Sequence, residues 1–181
     1  MKVGIAGGIG SGKSYVAARL AARGIAVYDC DAAAKRLMRN SSELRQQLET
    51  LVGSLDKAAI SRFLLASEDN QRAINAIIHP AVFADFLQSG YDWLESAIMY
   101  ESGADRYVDR VIVVTAPREI RLKRIMQRDG ITRQQALQWM KRQWPQREVR
   151  RRAHFEIVND GQQDIDKQLN IILEQLCNKP F

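Results

Sequence analysis

The sequence predicts a three-layer α/β/α fold built on a parallel central sheet, and three observations lead to that prediction. Short apolar runs of four or five residues alternate with longer stretches in which apolar residues recur at helical spacing. A glycine-rich turn follows the first apolar run directly. The chain has 181 residues, of which 46% are hydrophobic and 27% charged, so its composition is that of an ordinary globular domain. Strands that alternate with helices favour a parallel sheet covered on both faces.

Five apolar runs are predicted as the strands of this sheet. The first, at residues 2–6, leads into the glycine-rich turn, and the second, at 25–28, ends in the sequence Asp-Cys-Asp. A weaker run at 97–100 gives a third strand, and clearer runs at 110–114 and 155–158 give the fourth and fifth. Each run is short enough for a strand and too short for a buried helix.

Helices are predicted between these strands. One spans residues 13–23 and is closed by Gly24, and the stretch from residue 40 to residue 90 has a mixed helical pattern in which His79 and Pro80 mark a helix start. Pro117 marks the start of another helix. The sequence Thr132-Arg133-Gln134-Gln135 matches a capping box and opens a helix that runs to about Arg142. Apolar residues between 165 and 176 predict a closing amphipathic helix.

Composition excludes several classes of protein. Two cysteines are too few for a disulfide framework, which favours a reducing compartment. No apolar run approaches the ~18–20 residues of a membrane helix. The first predicted strand begins at Lys2 and leaves no room for a leader, so we expect a cytoplasmic protein.

The positive charge of the chain is concentrated in one segment. The net charge is +6, yet residues 118–152 hold 12 Lys and Arg against 3 Asp and Glu. The rest of the chain holds 15 basic and 18 acidic residues. The basic excess is therefore a local feature, and its expected counter-charge is nucleic acid, a membrane surface or a phosphate-rich small ligand.

Residues 7–14, Gly-Gly-Ile-Gly-Ser-Gly-Lys-Ser, satisfy the phosphate-binding loop pattern G-x-x-x-x-G-K-[ST]. Glycines allow the backbone N–H groups to turn inward around phosphate oxygens, and the helix that follows adds its positive dipole end. Lys13 would reach the β- and γ-phosphates, and the Ser14 hydroxyl would ligate Mg²⁺. A chance glycine-rich turn is the alternative, but the position between a predicted strand and a predicted helix favours a nucleotide site. The predicted ATP contacts in this region are Gly8, Ile9, Gly10, Ser11, Gly12, Lys13, Ser14 and Tyr15.

Asp29 and Asp31 follow the second predicted strand, which neighbours the first in this topology. A carboxylate in that position would orient an attacking hydroxyl or accept its proton during phosphoryl transfer. The alternative is a helix cap and a solvated aspartate, because either residue also suits the start of the next helix.

Arg121, Arg124 and Arg128 are three and four residues apart, so they share one face of the predicted helix. A row of guanidinium groups suits a lid that closes over a triphosphate and neutralises charge in the transition state. The alternative for this row is a solvated basic face.

Spaced motifs over most of the chain resemble the dephospho-CoA kinase family. This sequence contains counterparts of six motifs of that family. They are, in chain order, the glycine loop, the Asp-x-Asp after the second strand, the Asn…His-Pro element, the Arg-x-x-x-Arg-Asp pattern, a later Gln and the Asn-x-Gly pattern. In this sequence they stand at residues 7–14, Asp29-Cys30-Asp31, Asn75 to His79-Pro80, Arg124 to Asp129, Gln143, and Asn159-Asp160-Gly161.

The resemblance implies a single P-loop kinase domain with a core at 1–31, 92–117 and 153–181, a helical acceptor-binding insertion at 32–91 and an arginine-rich lid at 118–152. It implies transfer of the ATP γ-phosphoryl group to the ribose 3′-hydroxyl of dephospho-CoA, with Mg²⁺. Catalysis would then involve Lys13, Asp31 as the base and Arg128 from the lid, which also carries Arg121 and Arg124. Asn159 would lie near the adenine of ATP. Asp29, His79 and Glu101 would contact the acceptor, although a cap or packing role is the alternative for His79.

The same resemblance implies no nucleic-acid or membrane partner, and a monomer or weak oligomer. The sequence departs from the family at several positions: Tyr15 stands where a small Thr is common, Lys57 where an Arg is usual, Ala97 where a Pro leads the third strand, and His154 where an Asp is usual.

Three alternatives remain open at this point. They are another small-molecule or nucleoside monophosphate kinase of the same fold, a nucleic-acid-dependent P-loop ATPase, and a P-loop protein without activity.

Overall fold

A computed structural model of the chain describes residues 1–177 and contains a five-stranded sheet. The strands, in chain order, are β1 (Val3–Ala6), β2 (Val27–Asp29), β3 (Trp93–Ser96), β4 (Arg110–Thr115) and β5 (Phe155–Val158). Their order in the sheet is β2-β3-β1-β4-β5, and β1 pairs in parallel with both β3 and β4, as β4 does with β5. The predicted α/β architecture with a parallel sheet is confirmed. The prediction that the second strand neighbours the first is wrong, because β3 lies between β2 and β1.

The prediction of a strand at residues 97–100 is wrong. The strand lies four residues earlier, at Trp93–Ser96, and all four of its residues are buried. Glu95 and Ser96 interrupt the apolar run and conceal the strand in the sequence. Ser96 Oγ accepts a hydrogen bond of 3.2 Å from the backbone N–H of Ile98, where the chain turns away from the sheet.

The chain divides into two compact units. The first is formed by Met1–Val27 together with the chain from Asp92 onward, and the second is Tyr28–Tyr91. Helices of the first unit are α1 (Lys13–Ala21), α6 (Arg118–Asp129), α7 (Arg133–Lys141), α8 (Gln146–Arg152) and α9 (Ile165–Cys177), with a 3-10 turn at Ala104–Tyr107. The division into core, acceptor region and lid stays a prediction.

The capping box at the start of α7 is present as the sequence predicts. Thr132 Oγ1 accepts from the N–H of Gln135, and Gln135 Oε1 accepts from the N–H of Thr132 at 2.9 Å. Two orphan amides of the first helical turn are thereby satisfied.

The core of the first unit lies between one face of the sheet and the helices α1 and α9. Alternate residues of β1 and β4 point to this face, among them Ile5 and Ile112, and Leu20 of α1 and Leu169 of α9 pack against them. All four are fully buried. Val113 points to the opposite face and is also fully buried, so helices or loops cover both sides of β4. Because both faces of the sheet are buried here, the sequences of these strands are continuous apolar runs.

The second unit consists mainly of four helices, α2 (Cys30–Asn40), α3 (Ser42–Val52), α4 (Lys57–Ala66) and α5 (Glu68–Gln88). The long helix α5 packs against the other three. Tyr28 links the end of β2 to α5, because its hydroxyl donates to Asp85 Oδ2 at 2.6 Å. Arg36 of α2 donates to the same carboxylate. Burial and the nearby Asp85 carboxylate raise the pKa of Tyr28 well above its ordinary value, which keeps the phenol protonated as a donor.

The predicted helix start at His79 and Pro80 is wrong, because both residues lie inside α5. A proline within a helix removes one backbone hydrogen bond. Helix α5 nevertheless continues past it, since Ile78, Val82 and Phe83 on both sides of the proline are buried against the other helices. The packing of the apolar face thus outweighs the local cost of the proline.

Within residues 1–177, none of the helices combines the length and the apolar character that a membrane crossing requires.

His79 generates a pH-dependent contribution to stability. Burial lowers the pKa of its imidazole below the ordinary 6.5, and its ring lies 6.0 Å from that of Phe83. As the pH falls through about 6.5, the unfolded chain takes up a proton at His79 that the folded chain does not, so the free energy of unfolding decreases.

We therefore expect the wild type to lose more free energy of unfolding than His79→Gln when the pH is lowered from about 7.5 to about 5.5. Urea unfolding of both proteins at the two pH values measures the difference. Equal losses would show that His79 is as accessible to protons in the folded state as in the unfolded state.

Candidate functional site

A glycine loop joins β1 to α1 at the carboxyl edge of the sheet. Gly7, Gly10 and Gly12 have φ values of 150°, 77° and 97°, a region that other residues rarely adopt. Gly12 is the N-cap of α1, so the positive end of the helix dipole lies at the loop. Lys13 and Ser14 are the first two residues of the helix. This arrangement of amides, helix end and lysine is the phosphate-binding geometry that the sequence predicts.

The backbone of Ile9 is held on both sides by residues of the basic segment. The N–H of Ile9 donates to Gln143 Oε1 at 2.7 Å, and its carbonyl accepts from Arg121 Nε at 2.9 Å. Arg121 is only 7% exposed, and desolvation lowers the pKa of its guanidinium. A Cβ on Gly8 would overlap Arg121 Nη2, so the glycine is needed for this close approach. Arg121, predicted as a lid arginine, supports the loop in this structure.

Arg124 and Asn159 hold the second half of the loop. Asn159 Nδ2 donates to the carbonyl of Ser11 at 2.9 Å, and Arg124 Nη1 donates to the same carbonyl at 3.3 Å. Arg124 Nη2 also donates to Asn159 Oδ1 at 3.1 Å. Asn159 directly follows β5 and is 9% exposed. The structure therefore brings together Ser11, Arg124 and Asn159, three of the predicted site residues.

A pocket of about 520 Å³ opens beside this half of the loop. Gly12, Tyr15, Arg19, Arg124 and Asn159 are among its lining residues. The Tyr15 hydroxyl accepts from Arg19 Nη2 at 2.5 Å, and Arg19 pairs with Asp166 at 3.1 Å. The volume lies within the range of ~300–1,000 Å³ that small-molecule sites occupy.

Ser14 and Glu95 form an oxygen pair next to the loop. Ser14 Oγ donates to Glu95 Oε1 at 3.2 Å, and Glu95, in β3, is only 8% exposed. Hydroxyl and carboxylate oxygens are the ligands that Mg²⁺ prefers, so this donor set fits the predicted metal. The described residues contain no group of three or more His, Cys, Asp or Glu side chains that would hold a metal by themselves. A metal here would take its remaining ligands from phosphates and water.

Asp29, the last residue of β2, and Asp31 belong to the second unit and differ in their surroundings. Asp29 is the N-cap of α2, and its Oδ1 accepts from the N–H of Ala32 at 2.9 Å. Asp31 lies in the first turn of α2 and is exposed. Its side chain has no hydrogen bond or ion pair with another described residue. The cap alternative thus applies to Asp29, and the Asp31 carboxylate is available to a ligand. His79, the other predicted contact in this unit, is half-buried in α5.

Two predicted residues lie away from the loop contacts. Arg128 donates to the carboxylate of Asp129, with Nη2 to Oδ2 at 2.8 Å. Glu101 Oε1 accepts from the N–H of Trp144 at 2.8 Å. The Trp144 ring stacks on Tyr100 with 6.3 Å between centroids, and the Arg152 guanidinium lies 4.6 Å from the Trp144 ring. Burial raises the pKa of Tyr100 to about 12, so the phenol stays protonated.

Two residues that contact the loop, Glu95 and Gln143, were absent from the site residues predicted from the sequence. Glu95 was not predicted as a site residue because the third strand was predicted to begin after it. An acidic residue within an apolar run could have indicated it. Gln143 was part of a recognised motif, but nothing in its spacing showed that its amide oxygen meets Ile9. Contacts across more than a hundred residues of sequence have no local signature.

Gly12 provides a test of the loop geometry. An alanine here combines an unfavourable positive φ with overlap between its Cβ and Asn159 Nδ2. At Gly24 the φ of 79° is also positive, but a Cβ would meet nothing within 4 Å. We expect Gly24→Ala to lose about 1–2 kcal/mol of unfolding free energy from backbone strain alone.

Gly12→Ala should lose about 1–3 kcal/mol more than Gly24→Ala, because Asn159 must also give up its hydrogen bond to Ser11. Urea unfolding of the two variants measures the difference. Equal losses would show that Asn159 moves aside at no cost and does not hold the loop.

Comparison with known proteins places this geometry in a family. The family model described as dephospho-CoA kinase matches residues 1–164. A protein named dephospho-CoA kinase from Bacteroides fragilis is 36% identical over 193 residues, covering 99% of this chain and 94% of the relative.

Two solved structures extend the comparison. A structure from Thermus thermophilus superimposes with a TM-score of 0.82 at 32% identity and covers 97% of both chains. A shikimate kinase from Acinetobacter baumannii, in complex with shikimate, has a TM-score of 0.57 at 17% identity, covering 99% of this chain and 95% of its own, and shows likeness of fold alone. These similarities confirm the predicted P-loop kinase fold. With the loop, its lysine and the supporting asparagine already in place, they show that the chain belongs to the dephospho-CoA kinase family.

Proposed function

We propose that this protein transfers the γ-phosphoryl group of ATP to the ribose 3′-hydroxyl of dephospho-CoA, giving ADP and coenzyme A. The match of residues 1–164 to the dephospho-CoA kinase family carries the choice of acceptor. The glycine loop with Lys13 at the start of α1 supports the choice of a nucleoside triphosphate as donor.

ATP would bind with its phosphates in the loop and its adenosine in the adjoining pocket of about 520 Å³. Backbone amides of residues 8–14 and the Lys13 ammonium would contact the phosphate oxygens. Tyr15 offers an aromatic ring at the pocket wall, and Asn159 offers amide groups beside it. The bonds from Arg121, Arg124 and Gln143 to the loop keep these donors in position before the nucleotide arrives.

Ser14 and Glu95 would hold Mg²⁺, Glu95 either directly or through water. When bound, the ion would neutralise negative charge on the phosphates of the nucleotide.

Asp31 is the proposed general base. Its carboxylate is exposed and has no partner among the described residues, whereas the neighbouring Asp29 carboxylate is occupied by the cap of α2. Asp31 would accept the proton of the 3′-hydroxyl as that oxygen attacks the γ-phosphorus, and the bond to the β-phosphate oxygen would break to release ADP. His79 and Glu101 would contact the acceptor.

Arg128, with other arginines of residues 118–152, would neutralise charge on the transferring group after closure, which also excludes water. Arg128 forms an exposed ion pair with Asp129, and such a pair contributes little to stability. We further infer a cytoplasmic enzyme that acts as a monomer or weak oligomer on small molecules, without a nucleic-acid partner.

The activity is tested by ADP release from the purified chain with ATP, Mg²⁺ and a panel of acceptors. We expect turnover with dephospho-CoA and little with nucleoside monophosphates or shikimate. Turnover with one of the latter two and none with dephospho-CoA would contradict the acceptor assignment. Stimulation by DNA or RNA that weakens steeply with salt would instead favour a nucleic-acid-dependent ATPase.

Substitution of the proposed base should separate chemistry from ATP binding. We expect Asp31→Asn to lower kcat by about 10²–10⁴-fold, because the amide cannot accept the proton, and to leave the KM for ATP nearly unchanged. Steady-state kinetics with dephospho-CoA as the acceptor measure both constants.

Asp29→Asn is the matched comparison, since an asparagine at this N-cap also accepts from the N–H of Ala32. Its kcat should fall by less than about tenfold. If kcat fell further in Asp29→Asn than in Asp31→Asn, Asp29 and not Asp31 would be the general base.

A further inference from the structure

Asp85, near the end of α5, is bonded to residues on both sides of Asp31. The Tyr28 hydroxyl donates to Asp85 Oδ2 at 2.6 Å, and Arg36 Nη2 donates to the same oxygen. Tyr28 precedes Asp31 by three residues within β2, and Arg36 follows it by five residues within α2. One carboxylate therefore ties both ends of the segment that carries Asp31 to α5.

The part of α5 that carries Asp85 is closely packed. Val82 and Phe86, which flank Asp85 on the helix, are both buried. The Tyr28 ring is buried as well, with its centroid 5.3 Å from that of Phe86, and the Val82 carbonyl lies 3.2 Å from the Tyr28 hydroxyl. The Asp85 carboxylate is therefore held at a fixed position within the second unit.

Asp31 has no contacts of this kind. Its side chain is exposed and forms no hydrogen bond or ion pair with another described residue. The neighbouring Asp29 side chain serves the cap of α2, and β2 is only three residues long. The position of the Asp31 carboxylate therefore depends on where the first turn of α2 lies, and the bonds to Asp85 fix that turn.

The two bonds to Asp85 have different effects. Tyr28 is only 4% exposed, so its bond to a charged acceptor is shielded from water and is the stronger of the two. The Arg36 side chain is 49% exposed, and an ion pair in such surroundings contributes little to global stability. Its contribution is local, because a second point of attachment restricts the rotation of α2 about its start. The bond from Tyr28 fixes the end of β2, and the bond from Arg36 fixes the orientation of the helix that follows.

We propose, on the basis of the function proposed above, that Asp85 is a positioning residue for the general base Asp31. By binding Tyr28 and Arg36, it holds the first turn of α2 in the orientation from which the Asp31 carboxylate accepts the proton of the acceptor hydroxyl. Asp85 acts through Asp31 and takes no part in the chemistry itself. A displacement of ~1 Å in a reacting group can lower a rate by about 10²-fold, so a small loss of order in α2 is enough to slow the transfer.

The kinetic test compares Asp85→Ala with Asp69→Ala. Asp69 is also a residue of α5 and pairs with Arg72 at 3.2 Å, but it lies in the first turn of the helix and is exposed. We expect Asp85→Ala to lower kcat by about 10–100-fold with the KM for ATP nearly unchanged, and Asp69→Ala to keep kcat within about twofold of wild type. A kcat for Asp85→Ala within about twofold of wild type would overturn the proposal.

A double-mutant cycle separates the positioning of Asp31 from a general structural role. In the Asp31→Asn background, Asp85→Ala should lower kcat by less than about a further twofold, because the group that it positions is no longer a base. A further loss as large as in the wild-type background would show that Asp85 affects the reaction by another route, and the proposal would be wrong. Tyr28→Phe removes the hydroxyl and keeps the buried ring, so it should lower kcat by about 3–10-fold and show the same non-additivity, even if Asp85→Ala fails to fold.

Hydrogen–deuterium exchange of the full chain measures the attachment of α2 without turnover. Backbone amides of residues 30–36 should exchange about tenfold faster in Asp85→Ala than in the wild type, whereas amides of α3 should be unchanged and Asp69→Ala should match the wild type in both. Equal exchange of residues 30–36 in Asp85→Ala and the wild type would overturn the proposal. Faster exchange in Asp85→Ala, together with a wild type that does not phosphorylate dephospho-CoA, would instead contradict the proposed function alone.

Discussion

The structure depends above all on the conformation of the loop between β1 and α1. Three glycines with positive φ turn the chain from the carboxyl end of a central strand into the start of a helix. Residues far along the chain also hold this turn. Gln143 and Arg121 bind the Ile9 backbone, and Asn159 binds Ser11. These bonds connect the loop to α6, to the segment between α7 and α8, and to the end of β5.

Much of this architecture is readable in the sequence because it follows from local patterns. The glycine motif, the fourth and fifth strands and the capping box of α7 each depend on residues that are close in the chain. The predictions that were wrong have a common physical cause. The third strand and the interior position of Pro80 are decided by tertiary burial, which overrides the polar residues Glu95 and Ser96 in one case and the proline in the other.

The candidate site, like the fold, could be predicted from the sequence only where local patterns determine it. The loop residues and Asp31 carry residue types that point to phosphoryl transfer, whereas Asn159 was indicated only by the family resemblance. The spacing of the arginines in residues 118–152 does not show that these side chains have different environments. Arg121 is buried against the loop, Arg124 is shared between the loop and Asn159, and Arg128 is exposed beside Asp129. Sequence spacing shows which residues share a helix face, but it does not show which neighbouring residues cover part of that face.

The contact between Gln143 and Ile9 has a consequence for how an anion enters the loop. The Ile9 N–H donates to the Gln143 carboxamide in this structure. A phosphate oxygen that bonded to this amide would therefore replace one hydrogen bond with another, and the net gain from that exchange would be small. Displacement of Gln143 would also affect the short segment between α7 and α8, in which this residue lies.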